Sequence, residues 1–297
     1  MSEVYIIKTG DREEGVRLLC EAAGLKISGK EVVIKANYNS ADPFPASTHR
    51  ETLGALVMEL KKRAPSLIAL FERSGMGNTR RVLERCGVFD ELGHRGGEIV
   101  VLDEMSSRDW YHVPGKGTHW KQGFWLPERL IHAGAVVQTC CLKTHRFGGH
   151  FTLSLKNSVG LVAKIVPGLS HNFMTELHTS ADQRLMIAEI NQAYPVDLVV
   201  MDAIEGFVRG GPEKGSPGLL LGGRDRVAID AAGVALLRKF GTTPEVAQGR
   251  IFGLEQIARA GELGIGVRTP GEVEIIPLTE ESRLSAEMLT GILEREG

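Results

Sequence analysis

The sequence holds no pair of cysteines at metal-binding or redox spacing. Its four cysteines, Cys20, Cys86, Cys140 and Cys141 in 297 residues, form no C-x-x-C. That excludes a zinc ribbon and an iron–sulfur binding run, and four are too few for a secreted disulfide framework. No apolar run reaches the roughly 18–20 residues a membrane helix needs. The segment Met1–Ile7 lacks the basic stretch and long apolar core of a signal peptide. Net charge is −2, without the basic excess that nucleic acid or an acidic membrane surface calls for. G-x-x-x-x-G-K-[ST], a strand-linked G-x-G-x-x-G, HExxH and HxxEH are all missing, so no nucleotide-binding loop or zincin helix is written here. These absences predict a cytoplasmic protein with no nucleic-acid or membrane partner, and leave its oligomeric state open.

What is present is an ordinary globular composition, 42% hydrophobic and 24% charged. Apolar runs read as strands at Val4–Thr9, Glu31–Ala36, Ser66–Phe71, Glu98–Leu102, Ala135–Leu142, Leu198–Met201, Leu219–Leu221 and Val273–Ile276. Helical spacing covers Arg12–Ala23, His49–Arg63, Arg80–Cys86, Trp125–Ala133, Thr152–Val162, Ser180–Tyr194, Asp225–Phe240, Phe252–Ala260 and Glu280–Glu294, with Ser47 or Thr48 capping the second and Ser180 the sixth. Asp103–Gly123, which carries Trp110, Tyr111 and Trp120, has no clear period and reads as a loop or hairpin. Strands alternating with amphipathic helices predict an α/β fold: a mostly parallel central sheet with helices on both faces, one large domain over 1–297 that could divide into two lobes.

In such sheets ligands bind beyond the carboxyl ends of the strands. Lys35 and Asn37 follow one apolar run, Lys143, Thr144 and His145 another, and Asp202 a third; Glu72, Arg73 and Ser74 follow a fourth. A lysine ending a buried strand is costly unless its ammonium reaches water, a carboxylate or an anion. If their strands are neighbours, Lys35 and Lys143 could fix one anionic group. The densest polar stretch is 143–160, where a strand runs through a glycine-bearing loop into a helix that places Thr152, Lys156 and Gly160 four apart, with Asn157 beside Lys156. A solvated loop and helix face is the alternative reading. His145 and His171 are candidates to act together as acid and base or as metal ligands. The run 206–215 reads either as a chain of turns or as a loop closing over a ligand held by Lys143 and His145. Asp202 is a candidate partner for a pocket lysine or histidine. Asp230, inside an apolar helix, suits a structural acceptor of loop N–H groups.

These segments together resemble the family known as domain of unknown function 362, from about Val32 to Gly264. The likeness rests on Ile34-Lys35-Ala36-Asn37, Thr48-His49-Arg50-Glu51, Cys141-Leu142-Lys143-Thr144-His145, the run Thr152–Gly160, His171, Met201-Asp202-Ala203-Ile204-Glu205-Gly206 with Gly210-Gly211-Pro212, and Gly222–Asp230. In that family the first motif is usually Lys-Pro-Asn, and Ala36 here replaces the proline. Many relatives also carry a ferredoxin-like cysteine segment, which this chain lacks. The resemblance implies that the polar residues of these motifs share one site. It adds Thr48, Arg50, Gly210 and Gly211 to the substrate-binding candidates Lys35, Asn37, Thr152, Asn157 and Asp202, beside the catalytic candidates Lys143, His145, Lys156 and His171.

Three functions are compatible with this reading. The first is an enzyme acting on a small anionic metabolite, with a lysine as base or Schiff-base nucleophile. The second is a metal-dependent enzyme using His145, His171 and an acid such as Asp202. The third is a non-catalytic metabolite-binding or redox-partner protein using the aromatic stretch 110–125. The cofactor is open: a divalent metal is compatible with the residues, but no metal ligand set is assigned.

Overall fold

A computed structural model describes all 297 residues. It contains strands β1 (Ser2–Lys8), β2 (Glu31–Lys35), β3 (Leu67–Glu72), β4 (Glu98–Val101), β5 (Trp110–Val113), β6 (Phe124–Pro127), β7 (Ala135–Thr144), β8 (Phe151–Thr152), β9 (Leu198–Phe207), β10 (Lys214–Gly215), β11 (Leu219–Gly223) and β12 (Val273–Pro277). The main sheet runs β12-β1-β11-β9-β7-β2-β3-β4, with β8 added to β7 and β10 to β9. Every neighbouring pair on that path is parallel except the two made by β11. The sheet is therefore mostly parallel, as the alternation of strands and helices predicts. One consequence matters for function: β2, β3, β7 and β9 all end at the same edge.

Helices cover both faces because side chains alternate along each strand. Leu198 and Val200 of β9 join Val32, Ile34, Ala135 and Val137 against the helices Arg12–Ala23 and Arg50–Lys61. Val199, Met201 and Ala203 face the other way, onto the helices Arg226–Lys239 and Arg283–Glu296. Val33, Phe71 and Val136 meet the β5–β6 hairpin, whose Trp110 and Trp120 are buried. The aromatic stretch thus turns its tryptophans inward and leaves Tyr111 outside. The first helix is bounded as its residues require: Asp11 accepts from the Glu14 N–H, and Gly24 takes the left-handed conformation that ends it. No helix is long and apolar enough to cross a membrane.

Four expectations shift. β9 does not stop at Met201 but continues through Asp202 to Phe207, since Ala203 and Gly206 keep it in register with β11 and β10. Trp125–Ala133 is not one helix; Phe124–Pro127 pairs as a strand and only Glu128–Ile131 turns helical. Ser180 ends a helix (Phe173–Thr179, capped by Asn172) instead of starting one, and the next runs over Gln183–Ile190. Neither Ser47 nor Thr48 caps the helix Arg50–Lys61; His49 does, its ring nitrogen accepting the Glu51 N–H.

Candidate functional site

The adjacent strands β7, β2 and β3 carry Lys143, Lys35 and Glu72 near or at their ends. Lys35 is 1% exposed. Its Nζ donates to both Glu72 oxygens, at 2.7 and 2.9 Å, and to Asn157 Oδ1 at 3.3 Å. Glu72 also accepts the Tyr38 and Arg73 N–H groups. Burial lowers the Lys35 pKa and raises that of Glu72, and their mutual attraction and the two backbone donors oppose that drift. Glu72 is the functional-edge residue that sequence reasoning passed over as a site member. A lysine closing one buried strand and an acid closing another could have been read as a pair.

Lys143 Nζ donates to Asn37 Oδ1 and to the Ala46 carbonyl, both at 2.5 Å. Neither acceptor is charged. Thr48 keeps that loop in place, its hydroxyl accepting the Asn37 N–H at 2.9 Å. Asn157 ties the end of β2 to the middle of β7 by donating to the Lys35 and Thr139 carbonyls, and Asn37 Nδ2 reaches its oxygen at 3.5 Å. Thr152 lies on β8 directly across from Lys143.

The 152–162 segment is a helical turn, Ser154–Asn157, followed by a 3₁₀ turn, Ser158–Leu161. Buried Asp230 starts it, accepting the Ser154 N–H at 2.7 Å and the Leu155 N–H at 3.1 Å. This is the structural role its apolar helix suggested. It also explains why Thr152 stays in a strand and does not share a helix face with Lys156. Lys156 is half-buried and packs on Gly149. A Cβ on that glycine would sit 2.6 Å from Lys156 Cε and 2.9 Å from His145 Nδ1. Burial, Lys143 and Arg73 together lower the Lys156 pKa to about 8, with no carboxylate opposing them.

His145 Nδ1 accepts N–H groups from Phe147 and Gly149, each at 3.2 Å, so Nε2 carries the ring hydrogen. Burial, Lys156 and Lys143 push its pKa down to about 2. A neutral imidazole held in this way presents an N–H donor at Nε2. The 206–215 loop approaches from β9: the Gly210 N–H donates to Thr144 Oγ1 at 2.6 Å, and Arg146 donates to the Gly210 carbonyl. Gly210 and Gly211 both have positive φ, which suits glycine there.

Three candidates lie elsewhere. Asp202 is fully buried between Arg12 Nε at 2.8 Å and Thr52 Oγ1 at 2.7 Å, so it pairs neither a pocket lysine nor a histidine. Arg50 is exposed and bound to Glu91 at 2.8 Å. His171 Nε2 meets Glu176 at 2.6 Å, and no hydrogen bond joins it to His145. No group of three His, Cys, Asp or Glu is arranged to hold a metal ion. Cys140 and Cys141 are buried within β7, and burial pushes both thiols up, Cys141 to about 12. An open cleft of about 370 Å³ lined by Arg12, Pro43, Phe44, His49, Ile204 and Glu205 involves the 37–48 loop, but none of the site lysines lines it.

Gly160 has no room for a side chain. An added Cβ would lie 2.8 Å from Lys35 Cε and 2.9 Å from Glu72 Oε1. Gly160→Ala is therefore expected to displace the buried ion pair and cost about 1–3 kcal/mol. The urea unfolding midpoint reads this, and an unchanged midpoint would mean the pair yields freely.

No match was found among curated proteins. Among solved structures, the chain is similar to the lactate racemase apoprotein from Thermoanaerobacterium thermosaccharolyticum, at 17% identity and a TM-score of 0.43, over 68% of this chain and 50% of that one. The chain thus spans half of that racemase. A family model described as Domain of unknown function (DUF362) matches residues 32–235, a span holding most of the motif residues described above, and the chain belongs to that family.

Proposed function

We propose that this protein is an enzyme that binds a small anionic metabolite at the carboxyl ends of β2, β3 and β7, with Lys143 and Lys156 as its cationic contacts. One observation carries the reading. Lys35, Arg73, Lys143 and Lys156 converge there, and only Lys35 has a carboxylate within ion-pair distance. Arg73 spends its donors on the Val159, Val162 and Ser74 carbonyls. Three buried cations and a half-buried fourth are disfavoured in such excess unless an anion shares the site, and convergent polar groups with displaced pKa values are typical of active sites.

The roles divide by geometry. Lys35 is neutralised by Glu72 and sets the shape of the site. Lys143, aimed by Asn37 and Ala46, holds the anion. Asn157 and Thr152 border it, and His145 stands beside Lys156 across Gly149. The Gly210–Gly211 loop lies beside the His145 loop as a candidate cover.

Inorganic phosphate and pyruvate, titrated calorimetrically, test this. Lys143→Met is expected to weaken binding about 10- to 100-fold, the worth of one hydrogen bond to a charged group. Binding should weaken as pH rises through about 8, because Lys156 is charged below that value and neutral above it. Lys156→Met should remove that pH dependence. Binding of equal strength in wild type and Lys143→Met would place the anion elsewhere.

A further inference from the structure

The three lysines of the site differ in what holds them. Lys35 is locked to Glu72, and Lys143 is held by two neutral oxygens. Lys156 is confined by Gly149 through its stem and sits on a turn anchored by Asp230, yet its Nζ has no carboxylate partner and its charge is opposed by burial first, then by Lys143 and Arg73. A lysine used only to clip an anion gains from a stable charge. Burial and crowding by other cations instead bring the free amine, the form a nucleophile needs, within reach at mildly alkaline pH. Placement agrees: Lys156 stands beside His145, whose Nε2–H is neutral and fixed, and near the ammonium of Lys143.

Resting on the anion-site reading above, we propose that Lys156 attacks the carbonyl carbon of a small oxo acid whose carboxylate is held by Lys143, forming an imine. In the step, the Nζ–carbon bond forms while the carbonyl oxygen takes up one amine hydrogen and becomes a hydroxyl. Both amine hydrogens then leave with that oxygen as water, and a C=N bond remains. Nothing is oxidised or reduced. The substrate class is therefore a 2-oxo acid or an aldehyde acid, with the carboxylate close enough to its carbonyl to span Lys143 and Lys156.

The test is reductive trapping. The full chain is incubated with glyoxylate or pyruvate and cyanoborohydride, which supplies the hydride that converts an imine to a secondary amine, and the modified peptide is mapped by mass spectrometry. The expected result is one adduct per chain, on Lys156, forming faster as pH rises to about 8. Inorganic phosphate should slow it, and Lys143→Met should slow it about tenfold or more. Lys156→Arg and Lys156→Met should abolish it, with urea midpoints confirming that both variants fold. An adduct spread over exposed lysines, or one that survives in folded Lys156→Arg, overturns the inference. If phosphate binding depends on Lys143 but no adduct forms on Lys156, the imine falls and the anion site stands. If phosphate does not bind either, both fall.

Discussion

Lys35→Met alone is expected to lower the unfolding free energy by about 3–5 kcal/mol, and Lys35→Met with Glu72→Gln to recover at least half of that loss. The reason is the asymmetry of a buried ion pair. Both side chains are 1% exposed, so removing the ammonium strands a carboxylate in a place where ionisation is expensive. Changing both partners removes both charges, and the glutamine oxygen still accepts one of the N–H groups that Tyr38 and Arg73 direct at Glu72. Urea unfolding of the two single variants and the double variant completes a cycle that isolates the coupling. Additive losses would show that the two groups do not sense one another. Since Lys35 is the lysine already neutralised, the folded double variant should also keep most of its phosphate affinity.

That division among lysines marks where sequence reasoning succeeds and where it stops. β2 and β7 are legible because unbroken apolar runs end in lysine, and the rule that parallel strands present ligands at their carboxyl ends brings Lys35, Asn37, Lys143, His145, Lys156 and Asn157 to one place. Sequence does not show how each charge is compensated. Glu72 was visible at the end of β3, but pairing it with Lys35 needs the β2–β3 adjacency, which is a property of topology. Asp202 looked like a strand-end acid because the apolar run breaks at Met201. It is an interior strand residue whose partner Arg12 lies 190 positions away. Arg50 shares a motif with Thr48, yet it opens a helix and turns outward to Glu91, while Thr48 lies before the His49 cap and stays against Asn37.

Asp230 is expected to be the largest single determinant of the turn that carries Lys156, and its two roles separate by substitution. Asp230→Leu leaves the Ser154 and Leu155 N–H groups unpaired in the core. At about 1–3 kcal/mol for each buried orphan, the loss is roughly 2–6 kcal/mol, and phosphate affinity should fall with it because Lys156 and Asn157 depend on that turn. Asp230→Asn keeps one acceptor and should cost less. The pH dependence distinguishes the charge from the hydrogen bonds. Burial raises the Asp230 pKa from 3.8 to about 7 in the fold, so the folded state holds this proton more tightly than the unfolded chain does. The resulting stabilisation is complete below about pH 4 and is lost as pH rises through about 7. A shift from 3.8 to about 7, at about 1.4 kcal/mol per unit, gives roughly 4 kcal/mol across that window. Asp230→Asn has no such titration, so its urea-derived stability should decline less between these limits than that of wild type. Its disadvantage should shrink toward higher pH. Parallel stability curves for the two proteins would mean that Asp230 keeps an ordinary carboxylate pKa, with the two N–H donors outweighing burial; a converging pair would mean that the carboxyl anchoring the Lys156 turn is itself charged only above neutrality.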